Sequence, residues 1–459
     1  MRRSLLSNSV KDKISSRNLW GYAIGAIPSG LLAYIFSLKY VELFYDDLQL
    51  LPGLFILGQI IYMTINALND PLSGQLSDRT NRKKWGSRRI IYIKYGAPIW
   101  ALTFLLVWFP WSFDNQIIIF FHYVISICLF DTMLTLVVLV WMALLPEMTS
   151  DLDERNKAHF LSLVFGAIFV VPFFLIVGDM QPTSQSFQFL MIVIAIISTL
   201  FLWLTAYLCE EKPEYQKDEV FPLWKSIKES LKLKSFLIFV GFNFCVTFLG
   251  SIGLSYLFIW SFILGDNSTI IYFVIFILVG YGSNILCMKL RPKWGMRNII
   301  LRLGALKVVG MLISFVLLVV VQSSSLAMIG LIISTFFGGY GVFVVPTMYL
   351  SADEDEINHG TRREGMLLGM NALFTKPAAS LGPIVATIVL ELFLYNSGSD
   401  IQSAFTLIGI DILFLLIPAI VTAISLIFMY FYPLHGEKLK DMRVKLEQIH
   451  MEKKAKMKA

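Results

Sequence analysis

Apolar residues along this chain come in long unbroken runs. A helix needs roughly 20 of them to cross about 30 Å of hydrocarbon, and about twelve stretches meet that length. They begin near Leu19, Leu50, Ile90, Gln116, Ala158, Phe187, Phe236, Ile270, Ile299, Leu326, Met366 and Ser403. The two-residue alternation of a membrane β-barrel is not their pattern. The runs predict an all-α, polytopic membrane protein. A polar, basic segment precedes the run from Leu19, which therefore reads as an uncleaved first span rather than a signal peptide.

Charge fixes the expected orientation. Lys and Arg gather in every second connection: in the N-terminal tail, between Arg79 and Lys94, at Arg155 and Lys157, between Lys212 and Lys234, between Lys289 and Arg302, at Arg362 and Arg363, and after Lys438. All but Lys39, Lys307 and Lys376 of the 38 basic residues lie there. The opposite connections hold acids such as Asp46, Asp114 and Asp266. By the positive-inside rule both termini are cytoplasmic and the number of spans is even. The net charge of +6 is this bias, and the spread of bases over membrane-flanking loops argues against a nucleic-acid partner.

The chain also repeats itself. RKKWGSRRII (82–91) returns as RPKWGMRNII (291–300), each after the second run of its half. More loosely, PEMTSDLDER (146–155) is echoed by SADEDEINHGTRR (351–363). Two related halves joined by a polar linker are a transporter architecture. The expected organisation is a cytoplasmic tail over 1–18, six-helix bundles over 19–209 and 236–432 separated by a linker over 210–235, and a basic cytoplasmic tail over 433–459. Phe221–Leu233 of the linker is amphipathic and basic, a segment for the inner leaflet.

Composition narrows the chemistry. Only 15% of the 459 residues are charged and 56% are hydrophobic, too apolar for a soluble domain of this length. The four cysteines and five histidines are dispersed, without metal-ligand spacing. There is no GxxxxGK[ST] loop for ATP, and no HExxH, GxSxG or paired histidine for an intramembrane enzyme. The expectation is a monomeric, non-catalytic protein without cofactor or metal, with the bilayer and a small solute as partners and H+ or Na+ as a coupling ion.

The segment NDPLSGQLSDRTNRKKWGSRR (69–89) resembles the loop signature of the major facilitator superfamily, and its form is similar to that of the glycoside–pentoside–hexuronide cation symporters. LLPEMTSDLDER (144–155) and ADEDEINHGTRREGMLLGMNALFTK (352–376) resemble the same family. The resemblance implies two six-helix bundles and cation-coupled uptake of a sugar or glycoside across the plasma membrane. The chain departs from members that move disaccharides with sodium. Gly30 stands where they carry a first-span Asp, Asn66 and Asp70 where they carry two Asp, Val138 for a fourth-span Asp, and a residue near Leu163 for an Arg. Lys376 is kept. A related branch moves lysophospholipids, which makes an amphipathic solute the alternative substrate. A sensor or scaffold on the same fold is the alternative of another class.

A charge at a helix centre costs at least about 2.5–3.5 kcal/mol in a bilayer, so each one requires a cavity or a partner. Asp70, with Asn66 one turn away, suits a cation or a titrating proton, or else ties helices together. Asp131 either replaces the missing acid of the fourth span or hydrogen-bonds to a neighbouring helix. Lys376 is a candidate for charge balance or for an anionic group, with Asn371 beside it. Asn243, Tyr256 and Trp260 offer a polar and aromatic lining for a polyol or head group, and polar helix packing explains them equally. Gly74, Asp78, Arg79, Arg88, Arg89, Glu147 and Arg155, with Asp353, Arg362 and Arg363 in the second half, read as a cytoplasmic gate of ion pairs that break when the halves rock. For the bases, orientation signal and solvated charge are the competing reading.

Overall fold

A computed structural model describes residues 13–78, 80–149, 152–178, 180–211, 231–264, 269–359, 364–399 and 401–456. Arg79, Arg362, Arg363 and most of the linker lie outside them, as do the side chains of Gly74 and Asp78. The chain divides into two compact units, Met1–Val220 and Phe221–Ala459, with the boundary inside the expected linker.

The long helices of the first unit are α1 (Ser16–Asp47), α2 (Pro52–Asp78), α3 (Ile90–Trp108), α4 (Gln116–Met148), α5 (Leu152–Val177) and α6 (Gln185–Leu208). Those of the second are α7 (Lys234–Ser255), α8 (Thr269–Trp294), α9 (Met296–Val319), α10 (Leu326–Asn358), α11 (Glu364–Leu392), α12 (Ala404–Tyr430) and α13 (Gly436–Lys456). Ten helices among the described residues are long and apolar enough to cross a membrane. The 27-residue α2 is not among them, and several side chains in the first third of α8 lie outside the described residues. For α2 the reason lies in one polar face, described below.

Helix starts follow local chemistry. Side chains of Ser15, Asn115, Ser184 and Ser403 accept backbone N–H groups in the first turns of α1, α4, α6 and α12. Each such cap is worth about 1 kcal/mol. Pro98, Pro172, Pro377 and Pro383 lie inside α3, α5 and α11, each removing one ladder hydrogen bond. Single π-helical turns close α1 at Glu42–Asp47 and interrupt α12 at Ile412–Leu416.

Lipid is as apolar as the side chains, so close fit rather than exclusion of water joins these helices. At Gly25 a Cβ would run into the Trp141 indole of α4, which stacks on Tyr22 at 4.8 Å and donates Nε1 to its carbonyl. Aromatic rings fill the middle of the unit: Phe104, Trp100 and Phe130 are fully buried, and Phe55 stacks on Tyr123 at 5.0 Å. In the first unit α3 packs on α4 and α6, α2 on α4, and α1 on α5. The same pairings recur in the second, where α9 packs on α10 and α12, α8 on α10, and α7 on α11. Within the C-terminal segment Gly436–Lys456 forms a further helix, α13. Met442 of α13 joins the core of the second unit, and Lys438 lies 3.5 Å from Glu354.

Candidate functional site

Along α2 the positions Gln59, Tyr62, Asn66, Asn69, Ser73 and Ser77 fall three or four residues apart, which places them on one face. All six are buried. This stripe meets Asp131 of α4, itself only 7% exposed. Tyr62 Oη donates to Asp131 Oδ1 at 3.1 Å, and Asn69 Nδ2 donates to Oδ2 at 2.9 Å. Asn66 Nδ2 reaches the Tyr62 hydroxyl at 3.3 Å, and Thr132 Oγ1 lies 3.3 Å from Asn69 Oδ1. Further along, Gln59 Nε2 donates to Tyr40 of α1 at 3.0 Å. Two amide oxygens of the stripe, Asn66 Oδ1 and Gln59 Oε1, are buried without a hydrogen-bond partner among the described residues. Buried acceptors left over are uncommon and call for an explanation, such as an unseen water or ion. A carboxylate, a phenol and spare amide oxygens together can hold a proton or a small hard cation.

Of the residues singled out from sequence, Asn66 and Asp131 thus share one network. Its other members, Tyr62, Asn69 and Thr132, were not singled out. Asp70 is half-buried on the same helix, and its neighbour Asn69 is the one that reaches Asp131. The three-four spacing of polar residues on α2 was the signal that could have found Tyr62 and Asn69.

At the end of the first unit that bears the basic loop, Arg89 Nε donates to Glu147 Oε1 at 2.9 Å and Nη1 to Ser77 Oγ at 2.5 Å. Both members of the ion pair are more than nine-tenths buried. Arg155 donates to the Thr149 carbonyl at 2.8 Å. The position is shared by a residue that sequence reasoning passed over. Glu211, just after α6, accepts the backbone N–H groups of Arg88, Arg89 and Ile90 at 2.9, 2.6 and 2.8 Å. A carboxylate at a helix N-terminus satisfies orphan donors and complements the helix dipole. Glu211 therefore ties the end of α6 to the start of α3 and fixes the backbone that carries Arg89.

In the second unit Asn243 Nδ2 of α7 donates to Asn371 Oδ1 of α11 at 3.0 Å. Lys376 is half-buried five residues further along α11. Tyr256 is fully buried, with its hydroxyl 3.0 Å from the Pro383 carbonyl and 2.7 Å from Thr387 Oγ1. Trp260 packs its ring on Phe414 at 4.9 Å. These contacts join residues 243–260 to α11 and α12. Asp353 is half-buried on α10, next to buried Asp355 and Glu356.

Comparison with known proteins agrees with this frame. The family model described as MFS/sugar transport protein matches residues 21–436. Transmembrane protein 180 of Mus musculus is 25% identical over 438 residues, covering 84% of this chain and 82% of that protein. The uncharacterized symporter YnaJ of Bacillus subtilis is 25% identical over 475 residues, covering 96% and 97%. Among solved structures, that of a D-xylose–proton symporter superposes with a TM-score of 0.64 at 15% identity, covering 91% of this chain and 97% of the other. The chain is an integral membrane protein with the fold of a secondary transporter of small solutes, not an enzyme. The match over residues 21–436 places it in the MFS/sugar transport protein family of the major facilitator superfamily.

Proposed function

We propose that this protein is a proton-coupled symporter for a sugar or glycoside, of the glycoside–pentoside–hexuronide branch. It works by alternating access, with both termini on the cytoplasmic side of the plasma membrane. In this reading α2 and α8 are also spans, giving twelve. The observation that carries the coupling is Asp131, a carboxylate buried in a span and held by Tyr62 and Asn69 beside the unpartnered oxygen of Asn66. Its protonation removes a charge whose burial costs several kcal/mol, so occupancy of the site biases the protein between its two access states. A proton is favoured over sodium because, among the described residues, Asp131 is the one carboxylate of this network, and its two oxygens accept from the donors Tyr62 and Asn69. Asp70 and Asn66 extend the coupling path. Lys376, with Asn371 and Asn243, contributes charge balance or substrate contact in the second unit. Arg89 and Glu147 form one closed latch of the cytoplasmic gate, to which Arg88 and Asp78 belong by their place in the loop.

The family model supports a sugar, and the name of the Bacillus relative supports symport. Uptake of a radiolabelled panel of glycosides into proteoliposomes tests the reading, under a proton gradient, a sodium gradient or neither. Accumulation is expected with the proton gradient alone and is expected to fall at least about tenfold in Asp131→Asn, the scale of about 1.4 kcal/mol in coupling. Accumulation indifferent to both gradients, or unchanged in the variant, would remove the coupling claim.

A further inference from the structure

In the first unit, a groove of about 610 Å³ runs along the seam between the start of α3 and the end of α6. Ala206 gives it depth, and Trp85, Tyr95, Trp203 and Tyr207 line it. All four rings are well exposed, Tyr207 at 73%. Three of them carry a cation. Arg17 lies 5.1 Å from the Tyr207 ring, Lys84 5.5 Å from Trp85, and Lys94 5.5 Å from Tyr95. The fourth ring is anchored, since Trp203 Nε1 donates to the Lys94 carbonyl at 2.9 Å. Among the described residues no acid lines the groove. The second unit repeats the device at its corresponding seam. Arg302 lies 4.8 Å from the ring of Trp294, the repeat partner of Trp85, and Arg297 sits 5.4 Å from Tyr430 at the end of α12.

We propose that the α3–α6 groove binds an anionic glycerophospholipid of the adjacent leaflet, its phosphate among Lys84, Lys94 and Arg17 and an acyl chain along the aromatic wall. Aromatic rings at the end of a span lie at head-group depth, where one side of the ring faces hydrocarbon and the other water. Basic residues at that depth attract acidic lipids by about 1 kcal/mol each. The ring attracts and holds its cation, so the site is prepared before the lipid arrives. A seam with a small residue at its base supplies a track that a smooth helix face lacks. Occupation would bridge α3 and α6 at the level where Glu211 also joins them.

Native mass spectrometry of the detergent-purified full chain provides the test, with titration by dioleoyl phosphatidylglycerol and by dioleoyl phosphatidylcholine. The wild type is expected to retain the acidic lipid in preference. Lys94→Gln is expected to weaken that retention about fivefold, the equivalent of one basic residue. Ala206→Trp, which fills the groove and leaves the charge intact, is expected to abolish the preference. Lys83→Gln, an exposed lysine outside the groove, is expected to leave it unchanged. Equal retention of both lipids by the wild type would overturn the proposal. So would wild-type retention in Lys94→Gln, an equal loss in Lys83→Gln, or displacement by excess glycerol 3-phosphate, which would mark a site for a soluble anion.

Discussion

Arg89 and Glu147 sit together with under one-tenth of either side chain exposed, and that burial sets what each contributes. Removing one member of a buried pair strands the other, at a cost of about 3–5 kcal/mol, whereas removing both is far milder. Glu147→Ala is therefore expected to lower the melting temperature in detergent clearly, and the double variant with Arg89→Leu to recover most of the loss. A single variant as stable as the wild type would mean that the pair is solvated. Cys209 makes a second test at this scale. Burial pushes its thiol up to about 12, with nearby Arg17 opposing weakly. Since the folded form holds its proton longer than the unfolded form, the stabilisation is complete below the ordinary thiol range and is lost as pH rises through it and beyond. In a variant whose other three cysteines are replaced by serine, maleimide labelling at pH 7 is expected to be slow until the protein is unfolded. Rapid labelling of the native protein would contradict the burial.

Among the elements, the start of α3 depends on a side chain more than a hundred residues away. Glu211 receives the backbone N–H groups of Arg88, Arg89 and Ile90, while the local Ser87 accepts that of Ile91 at 3.0 Å. Glu211→Gln keeps the size and one acceptor but loses the charge and the second carboxylate oxygen. It is expected to cost about 1–2 kcal/mol, the upper range for a helix cap, read as a fall in melting temperature. Hydrogen exchange at Arg88, Arg89 and Ile90 is expected to rise with it. An unchanged exchange rate there would show that the cap contributes nothing. The α2 helix teaches a related lesson. Its length suits a span, yet its buried polar stripe keeps it out of the apolar set, because a helix that supplies a polar site cannot also be uniformly hydrophobic.

At the scale of the molecule, the recurrence of helix pairings in the two units matches the repeat of RKKWGSRRII as RPKWGMRNII. Related sequences bury related faces, and the seams with their ring-bound cations recur for the same reason. Orientation is testable here as well. Cysteines introduced at Ser7 and at Ala459 of an otherwise cysteine-free chain are both expected to react with an impermeant maleimide only after the cytoplasmic face is opened to it. Labelling of one end from outside would break the even-span arrangement.

Much of this was readable along the chain, because long apolar runs, loop charges and loop motifs are local. They determined an all-helical membrane protein, its repeat and its family, and raised Glu147 and Arg89 as candidate gate charges. They also raised Asp131, but with two readings open. What only the tertiary structure decided was pairing. It brought Tyr62 and Asn69 to that carboxylate, Glu211 to the start of α3, and Asn371 to Asn243. Each of these contacts depends on the rotation of one helix against another, which is set by packing of surfaces distant in sequence. The spacing of polar residues on α2 defined a face, and only the neighbouring helix gave that face a partner.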